Sequence, residues 1–494
     1  MKRTEQQEAV IEWFRSGTDD LCVTARAGSG KTTTLIDGVC ARPMTTSATL
    51  CSFNRRIADE ITTRLQSSQC GRAQAKTLHG LGYRAITRAL NRAGRRLVVN
   101  QHREAEIALR ILGQAKDAEE EARWIGRLAA FAKETSPDDI TEESLCEMAI
   151  DNGLAESDDD DEDSWVLARS RARVALDVVH QSLEITGEIS YSDMLWLPLV
   201  KRWSPDQVDL VCVDEAQDMS RAQLRLAAMA RLRGGRMVVV GDDRQGIYSF
   251  RGAEPGSLER VATSLRARRM SLTVTFRCGA AIAAEAARLV PDIRAAPGAP
   301  DGVVRDAAES EMMAMARPGD FVLSRTNAPL ARVCLGLIRA GVRAFIVGSD
   351  IGAGLIKLVE KLAPKGACDD PVTEMLVRLG KWRDREIAKA HALKRERRAE
   401  QVDDQAAMIV ALSTDVDDIS SLVDTIERIF RDDGGPRVAC STVHRAKGLE
   451  ADRVWILADT LDAIKGRTAL EELEEQNIRY VAITRARHEL VWIR

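Results

Sequence analysis

The sequence predicts an α/β fold built on two parallel sheets with helical insertions. Three observations carry that expectation. Short, mostly apolar runs recur at residues 21–23, 48–52, 209–213, 237–240, 272–275, 321–324, 344–347, 438–442 and 454–457, and runs of this length read as buried strands. Segments with helical spacing separate many of them, which is the pattern of βαβ units. Strand signals give way to helical, charged sequence over 83–186 and again over 352–435, as insertions into two sheet domains would. A chain of 494 residues has room for about two to four domains.

Composition narrows the functional classes. Apolar residues make up 45% of the chain and aromatics only 4%, so its cores are aliphatic. The net charge of −4 is nearly balanced. A chain that gripped nucleic acid by overall charge would be strongly basic, so any such grip has to come from cations and aromatics gathered in one groove. The ten cysteines are scattered, with no Cys-x-x-Cys pair, which argues against zinc and for a reducing compartment. No apolar run reaches about 18 residues and the first residues carry no apolar leader, so the sequence reads as soluble and cytoplasmic, with no membrane partner.

Taken in order, the chain opens on a helix from residue 5, with Thr4 as N-cap and Gln7 completing a capping box. The amides of Gln6 and Gln7 both donate and accept, so they suit the edge of a base bound nearby. The first strand runs into Ala25-Arg26-Ala27-Gly28-Ser29-Gly30-Lys31-Thr32. In such a loop the backbone N–H groups and the positive end of the next helix cradle a polyphosphate. Lys31 would reach the outer phosphates, and the Thr32 hydroxyl would sit on Mg²⁺. The second strand ends in Phe53, Asn54 and two arginines, and the third in Thr77 and His79. Ligands gather beyond the carboxyl ends of such strands, although His79 taken alone reads as a turn histidine. The first helical stretch holds six consecutive acids, 158–163, which read as a solvated loop. Beyond it, the strand at 209–213 ends in Asp214 and Glu215. Asp214 would hold Mg²⁺, and Glu215 would take the proton of an attacking water. The strand at 237–240 leads to Gln245, placed for a γ-phosphate or its water, and then to Tyr248, Phe250 and Arg251, which suit a base-stacking platform. Strand ends at Phe276-Arg277 and at Thr442 to Glu450, the latter including His444, complete the series before a helix that carries Arg485. The cation-rich stretch from Lys381 to Arg398 reads first as a solvated helix face and second as a contact to a phosphate backbone.

This ordered series resembles the superfamily 1A (UvrD/Rep-like) DNA helicases. Gln6 resembles the Q motif, 28–32 the Walker A core, 52–56 and 77–79 motifs Ia and Ib, 213–218 motif II, 241–253 motif III, Phe276-Arg277 motif IV, 442–450 motif V and 480–487 motif VI. The resemblance implies two RecA-like domains that close on ATP: 1–84 with 187–275, and 276–351 with 436–494. Helical insertions would occupy 85–186 and 352–435, the second reduced relative to larger members. It implies that ATP is bound by Gln6, Ala27, Gly28, Ser29, Gly30, Lys31, Thr32, Thr33, Phe276 and Glu450, with Phe276 on the adenine and Glu450 on the ribose. Mg²⁺ would be held at Thr32 and Asp214. Lys31, Asp214, Glu215 and Gln245 would carry catalysis together with Arg277 and Arg485 as arginine fingers. Phe53, Asn54, Thr77, His79, Tyr248, Phe250, Arg251, Thr442 and His444 would line a single-strand groove. Thr33 stands where the family often has arginine. The implied activity is ATP-driven 3′-5′ translocation on single-stranded DNA with duplex unwinding at single/double-strand junctions. The alternative is a DNA-activated ATPase subunit that serves a nuclease or another protein partner, in repair or anti-phage defence, without unwinding as its output.

Overall fold

The computed structural model describes residues 3–52, 55–68, 70–91, 97–113, 118–151, 162–185, 187–247, 256–363, 372–392, 396–464, 466 and 468–494. The chain divides into two compact units, Met1–Leu272 and Thr273–Arg494.

The first unit opens with helix α1 (Glu5–Ser16), whose Thr4–Gln7 capping box forms as expected. Its strands are β1 (Leu21–Ala25), β2 (Ala48–Ser52), β3 (Ala73–Thr77), β4 (Val98–Val99), β5 (Glu188–Ile189), β6 (Val208–Val213), β7 (Arg231–Gly241) and β8 (Arg268–Leu272). Six of them make one parallel sheet in the order β3-β2-β6-β7-β1-β8. Alternation along β6 decides which face each side chain serves. Leu210 and Cys212 join Val10, Phe14, Leu35 and Val39 on one side, and Val211 and Val213 join Leu78, Leu195 and Leu226 on the other. Burying each such side chain is worth about 1.5–3 kcal/mol. Strands β6, β7 and β1 lie side by side, so the residues just past their carboxyl ends are brought together.

The stretch after β3 is helical, as its sequence spacing predicts. Helices Arg103–Leu112, Ala118–Thr135, Glu142–Asp151 and Glu162–Ser182 pack around a separate core that includes Ile107, Trp124, Leu128 and Val178. That core also encloses charge. Lys133, with no exposed surface, donates to Glu104, Asp193 and Ser182, each at 2.8 Å. Arg103 completes the group by pairing with Asp193 and donating to the Ser182 and Glu184 carbonyls.

The second unit holds β9 (Val274–Thr275), β10 (Arg294–Ala295), β11 (Val303–Ala307), β12 (Phe321–Ser324), β13 (Ala344–Ile346), β14 (Val438–Thr442), β15 (Ala451–Leu457) and β16 (Ala486–Ile493). Its parallel six-stranded sheet runs β11-β16-β15-β12-β14-β13. The expected single strand over 272–275 is broken at Thr273, where the two units divide. Strands β11 and β16 have no counterpart in the sequence reading. Arg305 of β11 and Arg453 of β15 meet Glu489 of β16, and charge within β11 leaves it no apolar run, whereas β16 ends on the buried run Leu490 to Ile493, which the sequence reading passed over. Between β13 and β14 the described residues are all helical or connecting, with helices Ser349–Leu362, Val372–Ala392, Glu396–Leu412 and Ile419–Phe430. These helices share one core with the sheet: Leu379, Val402 and Leu422 belong to the same buried cluster as Val322 and Cys440. Asp404 anchors them further by accepting from the backbone N–H groups of Asn327 and Ala328 at the start of helix Ala328–Arg339.

One cysteine pair has no counterpart in the sequence reading. Cys40 and Cys70 are disulfide-bonded, with Cα atoms 4.6 Å apart. The fold brings the end of the helix after β1 next to the turn before β3, an adjacency that sequence spacing does not reveal. Among the described residues no cluster of three or more His, Cys, Asp or Glu could hold a metal. No helix among them is long and apolar enough to cross a membrane.

Candidate functional site

The loop after β1 enters helix α2 (Lys31–Ala41) through Gly30, whose φ of +78° strains any residue with a Cβ. A Cβ there would also stand 3.1 Å from Gln7 Nε2. Gln7 is buried and donates to the Ser29 carbonyl at 3.1 Å while its other end caps α1. The second glutamine of the pair therefore touches the loop directly, whereas Gln6 is half-buried beside it. The Ser29 hydroxyl is buried with no hydrogen-bond partner among the described residues. Such an orphaned polar group inside a glycine-containing loop at a helix start fits a phosphate cradle.

Lys31 reaches across to β6 and donates to Glu215 at 2.8 Å. Burial alone would pull its ammonium down, but the carboxylates of Glu215, Asp242 and Asp214 outweigh burial and hold it above the usual lysine value. One residue on, Thr32 donates to Asp214 at 2.8 Å. Burial, and then the neighbouring Glu215, push the Asp214 carboxyl up to about 6 against the pull of Lys31 and Thr32. A carboxylate poised this way beside a helix-start hydroxyl is a donor set that suits Mg²⁺. Glu215 itself sits in the left-handed region at φ 52°, ψ 42°. That conformation is uncommon for a side chain of this size and occurs where the surroundings hold it. Gln217 supplies part of the hold: its Nε2 donates to Glu215 at 2.7 Å and its Oε1 accepts from the Asp242 N–H at 3.1 Å. Gln245 is buried past β7 and donates to Asp242 at 2.7 Å. Thr33 is exposed, and its hydroxyl accepts from Arg64 at 3.3 Å.

At the end of β3, the Thr77 hydroxyl accepts from the Gly80 N–H at 3.0 Å, starting the next helix. The His79 ring meets Tyr191 edge-on with centroids 6.0 Å apart, and burial lowers its pKa. Tyr191 is 53% exposed. Neither Tyr191 nor Gln217 stood out in the sequence. The exposed aromatic directly after the capping residue Ser190 was the available signal for the first, and the second lay unmarked inside an acidic run. Phe53, Asn54, Tyr248, Phe250 and Arg251 lie outside the described residues, as does most of the acid run.

In the second unit, Phe276 is half-buried and precedes Arg277, which pairs with Glu450 at 2.5 Å and donates to the Thr484 carbonyl at 3.2 Å. Glu450 also pairs with Arg487. Burial would raise its carboxyl, but the two arginines pull it below the usual glutamate value. Arg485 is buried and donates to the carbonyls of Val481 and Leu449, each at 3.0 Å. Burial, and then Arg277, bring its pKa down to about 9. Thr442 is buried at the start of the short helix Val443–Ala446, and His444 on that helix is half-buried. Within the 381–398 stretch, Arg383 pairs with Asp384, and Arg385 and Lys389 with Glu386.

Comparison with known proteins agrees with this geometry. Residues 3–265 match the UvrD/REP helicase N-terminal domain, and residues 386–494 match the UvrD-like helicase C-terminal domain. The F-box DNA helicase protein 1 of Schizosaccharomyces pombe is 24% identical across 99% of this chain, which covers 57% of that protein. The DNA helicase II of Haemophilus influenzae is 24% identical over 56% of the chain and 38% of its own length. The ATP-dependent DNA helicase Rep of Escherichia coli is 34% identical over a shorter stretch, 15% of this chain and 12% of Rep. The chain thus spans little more than half the length of the longest-matching of these relatives.

Proposed function

This chain belongs to the UvrD/Rep-like helicase family, and on that premise we propose that it is an ATP-driven motor that moves 3′ to 5′ along single-stranded DNA and opens duplex at single/double-strand junctions. The observation that carries the proposal is the paired contact at the end of β6: Lys31 on Glu215 and Thr32 on Asp214. Two residues of the phosphate loop hold the two acids that hydrolysis needs, one as a metal ligand and one as a base.

The loop N–H groups and the Ser29 hydroxyl bind the phosphates of ATP, with Gln6, Ala27, Gly28 and Gly30 shaping the nucleotide's seat. Thr32 and Asp214 would hold Mg²⁺, which would supply neutralising charge to the outer phosphates. Lys31 is committed to Glu215 until a triphosphate competes for it. Drawing Lys31 away leaves Glu215 to accept the proton of the attacking water, with Gln245 orienting that water. Arg277 and Arg485 stabilise the transition-state charge, a role worth about 10³–10⁵ in rate in other NTPases. Phe276 and Glu450 receive the adenosine. His79, Tyr191, Thr77, Thr442 and His444, with the aromatics Phe53, Tyr248 and Phe250, take the strand by stacking and by polar contact, each stacked base contributing about 1–3 kcal/mol.

The test is hydrolysis and displacement by the purified chain. The proposal expects ATP turnover stimulated by single-stranded oligonucleotide and displacement of a 3′-tailed but not a 5′-tailed duplex. Turnover without displacement would favour an ATPase subunit that serves a nuclease or other partner. Absence of DNA-stimulated turnover would overturn both readings.

A further inference from the structure

The second residue of the phosphate loop is Arg26, and its side chain does not point at the phosphate seat's glycines but crosses to the next strand. Its backbone is fixed on both sides: the Arg26 N–H donates to the Leu272 carbonyl at 2.8 Å, and its carbonyl accepts from the Ser29 N–H at 3.0 Å. From this anchored position Nη1 donates to Asp242 at 2.9 Å and to Asp243 at 2.6 Å. Asp242 is fully buried, Arg26 nearly so, and Asp243 is 44% exposed.

Asp242 uses its carboxylate at both ends. Oδ1 accepts from Arg26 and from the Arg244 N–H at 3.2 Å, and Oδ2 accepts from the Nε2 of Gln245 at 2.7 Å. Its backbone N–H meanwhile donates to Gln217, which holds Glu215. The phosphate loop therefore contacts the β7 loop by two routes. One runs from Lys31 through Glu215 and Gln217, and breaks when Lys31 turns to a triphosphate. The other runs from Arg26 through Asp242 to Gln245 and does not involve Lys31.

We propose that Arg26 is a positioning residue that registers Gln245 against the phosphate loop through Asp242, and keeps that register when Lys31 leaves Glu215. A buried carboxylate shared between a guanidinium and an amide steadies the amide's direction, because the guanidinium neutralises the charge and holds the oxygen opposite the one the amide uses. Without the guanidinium that oxygen keeps the neutral Arg244 N–H at 3.2 Å but loses its charged partner, and the hold on the glutamine loosens. The proposal rests on the ATPase reading above.

The experiment is a double-mutant cycle on DNA-stimulated ATP turnover, using Arg26→Ala, Gln245→Ala, the double variant and Arg26→Lys. The expected result is a loss in kcat of roughly tenfold or more for Arg26→Ala, with KM for ATP unchanged within about twofold. Arg26→Lys, which keeps the charge and one donor, should recover part of the loss. Most tellingly, Arg26→Ala should add nothing once Gln245 is gone, because its effect passes through that side chain. Additive losses would overturn the proposal, as would a rise in KM at unchanged kcat, which would make Arg26 a phosphate contact instead. The melting temperature of each variant guards against a folding artefact: turnover is taken per folded molecule, and a loss in kcat that only tracks the unfolded fraction overturns the proposal. A wild-type chain without DNA-stimulated turnover overturns the ATPase reading, and this proposal with it. Turnover with additive losses overturns this proposal alone.

Discussion

The first unit contains two lysine–carboxylate clusters that look alike in composition and differ in every physical respect. Around Lys133, two cations face two acids, and all three ammonium hydrogens are placed on Glu104, Asp193 and Ser182. Glu104 is further satisfied by Ser192 at 2.6 Å. Nothing in that group can change partner without leaving a charge uncompensated in a dry core. Around Lys31 the count is lopsided: Lys31 and Arg26 face Asp214, Glu215, Asp242 and Asp243. Lys31 makes a single hydrogen bond among the described residues, and its partner Glu215 sits in a strained backbone conformation. A neutral, saturated cluster specifies a fold. On the proposed reading, the cluster with surplus negative charge and a singly bonded lysine is the one that takes up a cation and a polyanion. The difference between structure and function here lies in the balance of partners, not in the residue types.

Three substitutions sharpen or break this contrast. Glu215→Gln keeps the shape at the strand end and removes the base. Turnover should fall by about 10²–10⁴, while the melting temperature stays within a degree or two of wild type. Unaltered turnover in a nuclease-free preparation would sink the assignment of Glu215. Lys133→Met does the opposite. It leaves Glu104 and Asp193 in the core with only Arg103, and should cost about 3–5 kcal/mol in chemical denaturation while turnover per folded molecule is unchanged. A loss below about 1 kcal/mol would mean that the cluster is wetter than its burial implies. The smallest effect concerns Glu134, half-buried beside this cluster, whose carboxyl burial and then Glu104 push up to about 7. Its folded pKa lies above the unfolded value near 4.5. The associated stability is therefore fully present below about pH 4.5 and lost as pH rises through about 7. Glu134→Gln should raise the melting temperature by about 2–4 °C at pH 8, with the gain vanishing near pH 5. A gain of equal size at both pH values would not come from this titration.

Much of the fold was legible because a parallel strand buried on both faces must be apolar there, as in residues 210–213, and because a phosphate loop needs glycine where φ is positive, as at Gly30. The site was legible where a residue's type and its place at a strand end sufficed, as for Lys31, Thr32, Asp214 and Glu215. It was illegible where meaning lay in a partner. Gln217 is one polar residue in an acidic run until its two hydrogen bonds are seen. Lys133 is an ordinary helical lysine in sequence. Arg26 occupies a loop whose usual reading concerns only backbone. Cys40 and Cys70 sit 30 residues apart with nothing local to join them. Strand β11 escaped because Arg305 and Asp306 interrupt it, and Arg305 is held there by Glu489 of β16, a partner far away in sequence.

The core shared between helices 372–430 and the second sheet has a consequence for how this molecule has been shaped over time. Helices 372–430 lend Leu379, Val402 and Leu422 to the sheet's interior and cap a neighbouring helix through Asp404, so removing them would open the interior of the second unit to water. The helices around Lys133 are tied in by another route: their core takes in Ile86 and Leu90 before them and Met194, Trp196 and Leu197 after them, and Asp193 completes the Lys133 group. Neither helical region can be lost whole without exposing apolar surface in what remains.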